Sequence, residues 1–167
     1  MAATPEQVNE LLRLAYQGNL RAQFNLGEIY FDLKDYAQAI FWHRKAAESG
    51  YAESAFALGL LNQHGLAGFI PINPYEAFKW YQRASTNGHV LSLVKLAACY
   101  SGGSGVRQDP VEAHALGTVA ASKIPRESVP EFIDILRELE VAMTPAQLEA
   151  ARIRAHQIQR VLNSNVR

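Results

Sequence analysis

Apolar positions along this chain recur at helical spacing, and the pattern itself recurs. Val8, Leu11, Leu12 and Ala15 stand at i, i+3, i+4 and i+7, the spacing of one buried helix face. Thr4-Pro5-Glu6-Gln7 reads as the start of that helix. The threonine can cap, proline suits the first helical position, and glutamine completes a capping box. Gly18 is placed to end it, because glycine tolerates the left-handed turn that closes many helices.

From Arg21 the chain aligns with itself in columns. The first helices carry Ala22, Phe24, Leu26, Gly27 and Tyr30, then Ser54, Phe56, Leu58, Gly59 and Asn62, then Ser92, Val94, Leu96, Ala97 and Tyr100. The second helices carry Ala39, Trp42 and Ala46, then Ala77, Trp80 and Ala84, then Ala113, Leu116 and Ala120. The stretch from Phe41 to Gly50 returns 38 residues later as Lys79 to Gly88, closing again on glycine. Asp35, Asn73 and Asp109 precede the second helices as caps, 38 and 36 residues apart. A period in the thirties marks stacked supersecondary units. The small residue after each leucine lets a neighbouring helix approach closely.

The pattern predicts an all-α fold: about three helical hairpins stacked into a solenoid, each unable to bury its apolar face alone. The units run over about 19–50, 51–88 and 89–124, preceded by helix 5–17 as a half-repeat, so the array spans 1–124. The period stops after Pro125. Val129, Phe132, Ile133, Leu136 and Leu139 make one further helical stripe, and Leu148, Ala151, Ala155, Ile158 and Leu162 another. Thr144-Pro145-Ala146-Gln147 repeats the N-terminal capping arrangement. Five acids and one arginine lie between Glu127 and Val141, against four arginines and one acid from Gln147 to Arg167. Segment 125–167 is therefore expected to form two antiparallel helices, paired at their rims by charge, that cap the stack.

The combination Leu-Gly-x-x-Tyr, Gly-x-Gly-Val-x-x-Asp, Ala-x-x-Trp-x-x-x-Ala and a closing Gly resembles the Sel-1-like repeat, an α-solenoid relative of the tetratricopeptide repeat. The third unit carries Tyr100, Gly103, Gly105, Val106 and Asp109 of its loop element. The second carries Leu58-Gly59, Gly65, Ala77, Trp80, Ala84 and Gly88, with a longer loop. The first carries Leu26-Gly27, Tyr30, Ala39, Trp42, Ala46-Ala47 and Gly50, but its loop is short and lacks the glycine pair. The likeness covers about residues 15 to 124. It implies a right-handed superhelix with a concave binding face, and an adaptor or scaffold role of the kind small bacterial members of the family have.

Composition narrows the class further. With 49% apolar and 19% charged residues in 167, the chain can bury a core. Its formal net charge is zero, so no global field steers it to nucleic acid or to an anionic membrane. One cysteine, Cys99, precludes an internal disulfide framework and suits a reducing compartment. The first residues lack the basic and apolar regions of a secretory signal, and no run reaches the roughly 20 apolar residues of a membrane span. A cytoplasmic location is the expectation.

Candidate chemistry is sparse. His43, His64, His89, His114 and His156 stand apart, none with a histidine or cysteine at ligand spacing, and read as surface or helix-end residues. Cys99 reads as a buried structural thiol. Ser101-Gly102-Gly103-Ser104-Gly105 follows a helix and lacks the lysine of a phosphate loop, so it reads as an interhelix turn. Trp42 and Trp80 share a column and read as packing residues. No catalytic residue, metal ligand or cofactor site is predicted.

Positions that the repeat does not need line the first helices: Arg21, Asn25, Glu28 and Asp32, then Glu53, Ala57, Leu60 and His64, then Leu91, Lys95 and Ala98. By the resemblance this is the concave face, expected to bind a protein or peptide with charged and apolar residues. A second candidate is the loop bearing Leu66, Phe69, Ile70 and Ile72, which either folds back as local core or anchors a partner. Two alternatives stand beside the docking module. One is an enzyme or small-ligand receptor with a pocket near His64, His89 and Tyr100. The other is self-association through the Phe69 loop, a weak homodimer in place of a monomer.

Overall fold

The computed structural model describes residues 4–125 and 130–164. Among them are nine helices: α1 (Pro5–Tyr16), α2 (Leu20–Asp32), α3 (Tyr36–Glu48), α4 (Ala52–His64), α5 (Pro74–Thr86), α6 (Leu91–Gly102), α7 (Pro110–Ala121), α8 (Pro130–Ala142) and α9 (Pro145–Ser164). The one extended pairing among these residues is a single bridge between Leu66 and Ile70. Helices α2–α3, α4–α5 and α6–α7 are the three hairpins; α3 packs on α4, α5 on α6, and α1 lies against α2. The chain is thus an all-α solenoid of helical-hairpin repeats.

The predicted caps form. Thr4 accepts from the Gln7 amide while Gln7 returns a bond to the Thr4 amide, and Asp35, Asn73 and Asp109 accept from Gln38, Glu76 and Glu112. Asn19 caps α2 in the same way, through the Ala22 amide. Gly18, Gly50 and Gly88 close their helices at φ 88°, 95° and 92°, where a side chain would clash with its own backbone. The first unit's loop has no glycine and turns instead on Lys34 at φ 60°.

The glycine after leucine does what its size suggests. A Cβ at Gly27 would collide with the His43 ring, and one at Gly59 with the Tyr81 ring. His43 and Tyr81 occupy one column, 38 residues apart. This corrects the reading of the histidines: His43 is 2% exposed and His114 7%, both core residues, while His64 and His156 are exposed. The tryptophan column also divides. Trp42 is buried, whereas Trp80 is only half-buried, and Tyr81 beside it takes the deep position. The third unit inverts the arrangement, with Ala97 on the first helix and Gly117 on the second; Leu136 and Phe132 of α8 press onto Gly117.

The last two helices also depart from expectation. Among the described residues no ion pair joins them; both dock on α7. Ala151 and Ala155 give α9 a small-residue stripe that lies close to its neighbours, and Arg154 reaches Glu112 of α7 with bonds of 2.7 and 3.0 Å. Of the acids and arginines thought to pair across the rim, Arg137 with Asp134 and Arg152 with Glu149 pair within their own helices, and Glu140 meets His114 of α7 at 3.1 Å. Phe132 and Leu136 are buried in α8 as the stripe requires; Val129 lies outside the described residues.

Candidate functional site

Stacking brings one face of α2 and one face of α4 together along a cleft of about 360 Å³. Four predicted face residues line it: Glu28 from α2, and Ala57, Leu60 and His64 from α4. Phe31, Leu61, Gly65, Leu66 and the edge of His43 complete the wall. Asp32 is exposed at the last position of α2. Arg21, Asn25, Glu53 and Lys95 stand on the same side of their helices but do not line the cleft.

Three consecutive helices build the polar floor. His43 of α3 lies under Gly27, with Nε2 3.2 Å from Glu28 Oε1 and Nδ1 3.5 Å from Ser54 Oγ of α4. The Phe24 ring meets it edge-on at 5.6 Å. The imidazole is enclosed, while the Glu28 side chain is 55% exposed, so the carboxylate faces the opening. Sequence reading missed His43 because its column is a packing column; the signal was the polar ring standing where the next unit has tyrosine.

The loop after α4 is neither wholly folded in nor wholly free. Leu66 and Ile70 exchange backbone bonds of 2.7 and 2.8 Å, and the Asn73 amide donates to the Asn62 carbonyl at 2.8 Å. That closure turns Leu66 toward the cleft and leaves Phe69 50% and Ile72 67% exposed. Phe69 rests on Tyr36, and Tyr36 on Phe31, each pair edge-on with centroids 5.4 Å apart.

His64, His89 and Tyr100 do not share a pocket. His64 lines the cleft; His89 stacks on Phe56 at 4.2 Å and bonds Ser92 in the α5–α6 turn. Tyr100 lies in a groove beneath α9 with Leu93 and Leu96. Burial lowers the His89 pKa and raises those of Tyr100 and Cys99. Among the described residues no cluster of His, Cys, Asp and Glu could hold a metal, and no helix is long and apolar enough to cross a membrane.

That groove also fixes where α9 lies. At about 100° per residue, Leu93, Leu96 and Tyr100 face the side of α6 opposite Leu91, Lys95 and Ala98. Helix α9 therefore runs along the opposite side of the stack and leaves the first-helix face uncovered.

Fold and repeat columns define a helical-hairpin solenoid with an open cleft on its first-helix side. The family model described as the Sel1 repeat matches residues 20–51, 52–89 and 90–123. The chain belongs to the Sel1 repeat family, whose members are generally protein–protein interaction modules. It is 33% identical over 120 residues to chitin synthase regulatory factor 3 of Schizosaccharomyces pombe, covering 68% of this chain and 13% of that protein. It is 37% identical over 95 residues to a putative sel1-like repeat-containing protein of Acanthamoeba polyphaga mimivirus, covering 57% and 17%. This chain thus spans under a fifth of the length of either relative. A protective antigen of uropathogenic Escherichia coli that displays an SLR fold superimposes with TM-score 0.81 at 28% identity, over 97% of this chain and 35% of that one. A Sel1 repeat protein from Oxalobacter formigenes gives 0.68 at 27% identity, over 76% and 97%.

Proposed function

We propose that this chain is a non-catalytic docking module whose α2–α4 cleft receives a segment of a partner protein. One observation carries the proposal. The cleft is where the first-helix face gains depth, with leucine walls over the His43 floor and a carboxylate at its mouth, and no other part of the described chain covers it. Its size falls in the range of ligand pockets, about 300–1,000 Å³. The apolar surface of Leu60, Leu61 and Leu66 supplies burial, while Glu28 and His64 supply orientation. Arg21, Asn25, Asp32, Glu53 and Lys95 extend the same face as a polar margin, in the manner of an interface rim.

The test is a random-peptide display selection on the immobilised protein, with Ala57→Arg in parallel to fill the cleft. The reading predicts enriched peptides that bind the wild type and lose about tenfold or more affinity on the variant, the scale of one buried anchor. A thermal melt confirms that the variant folds. Peptides that bind both proteins equally, or no enrichment at all, would remove the cleft from the account.

A further inference from the structure

The cleft and its surroundings also indicate the chemistry of the segment; this inference deepens the docking proposal and rests on it. Charge is the first indication. Glu28 is the one acid in the cleft wall, no lysine or arginine lines it, and Asp32 follows one turn on. His43 engages one carboxylate oxygen from below. The mouth of the cleft is thus a cation acceptor with one side already fixed, and complementarity calls for a lysine or arginine on the partner.

Shape is the second indication. An amphipathic helix needs a long groove that takes side chains at i, i+3, i+4 and i+7. Here there is instead one short open cleft and, leading out of it, a row of rings. Phe31 belongs both to the cleft wall and to the chain Phe31–Tyr36–Phe69. Phe31 and Phe69 are 38% and 50% exposed, so the row presents an aromatic ledge to solvent. Ledges of this kind suit extended, proline-bearing segments, which pack their prolines against exposed aromatic rings and bring little conformational entropy to lose.

We propose that the cleft and ledge together take an extended polyproline II-type segment with a basic residue beside an apolar one. The basic group meets Glu28, the apolar side chain fills the space over Ala57, Leu60 and Leu61, and prolines lie along Phe31, Tyr36 and Phe69. His43 acts as a positioning residue for Glu28.

Three fluorescein-labelled probes test this by anisotropy. One has the sequence Pro-Pro-Leu-Arg-Leu-Pro-Pro-Leu-Pro, the second replaces its arginine by glutamate, and the third is a basic amphipathic helix former without proline. The first should bind at least about tenfold more tightly than the second, as like-charge contact costs affinity. Glu28→Gln should narrow that gap, and Phe69→Ala, at an exposed site, should weaken both proline-bearing probes and leave the third unchanged. Preference for the third probe, lost in Ala57→Arg, would overturn the proline-segment proposal while keeping the docking cleft. Failure of the first probe to bind, or indifference to both Glu28→Gln and Phe69→Ala, would overturn it too. Should display-selected peptides also ignore Ala57→Arg, the docking reading itself falls.

Discussion

His43, Tyr81 and His89 show how single residues depart from the repeat. The first two share a column whose requirement is a flat ring over a glycine, Gly27 or Gly59. Tyr81 meets it with a hydroxyl that donates to Gln63 Oε1 at 2.5 Å, and burial raises its pKa. His43 meets it with a ring nitrogen turned to Glu28, which makes a packing column into part of the cleft floor. Column alignment shows where a ring goes and not where its nitrogen points, so the polar ring at this position was visible in the sequence but its contact with Glu28 was not. His89 offers a test at this scale. Burial depresses its pKa from the ordinary 6.5, with nearby Glu53 opposing. The unfolded chain therefore takes up a proton that the folded protein resists, so this contribution is full above the unfolded pKa and fades as pH falls below it. The melting temperature should fall between about pH 7.5 and about pH 5.5, the histidine range, and His89→Phe should fall less while keeping a ring on Phe56. Equal slopes for both proteins would show that His89 is not the group responsible.

At the scale of elements, local signals were reliable where geometry is local. Thr4, Asp35, Asn73 and Asp109 cap the helices they precede, because a side-chain acceptor three residues before a free amide needs nothing from the rest of the fold. Gly103 and Gly105 take φ 68° and 74° in the third loop. Gly105 also abuts the Pro74 backbone, so the loop of one unit seats on the start of α5. What failed was partner choice for α8 and α9. Charge alone suggested that they pair, but Gly117 receives Leu136 and α9 presents alanines, and close packing outweighs exposed ion pairs worth under about 1 kcal/mol. The same logic gives Gly59→Leu a sharp expectation. The added side chain has nowhere to go but the Tyr81 ring, so stability should drop by about 1–3 kcal/mol or more, read from a urea melt. An unchanged melt would mean that α4 and α5 do not meet at Gly59.

For the molecule as a whole, the repeat period made the solenoid legible from residues alone, since a self-match fixes which helices are neighbours. The geometry of the proposed docking side was half legible. Glu28, Ala57, Leu60 and His64 converge as the stripe predicts, whereas Arg21, Asn25, Glu53 and Lys95 stay outside the cleft. Depth depends on how consecutive units lean together and on the loop that carries Leu66, and neither is written in a single helix. The placement of α9 was open in the sequence; with Leu93, Leu96 and Tyr100 beneath it, the first-helix side remains exposed. The most direct test is a methyl-resolved NMR titration of the folded protein with a display-selected peptide. The account predicts shifts at Ala57, Leu60, Leu61 and Leu66, with Leu93, Leu116 and Ile158 unmoved. Shifts confined to that second group would place the partner under α9 and contradict the assignment of the cleft.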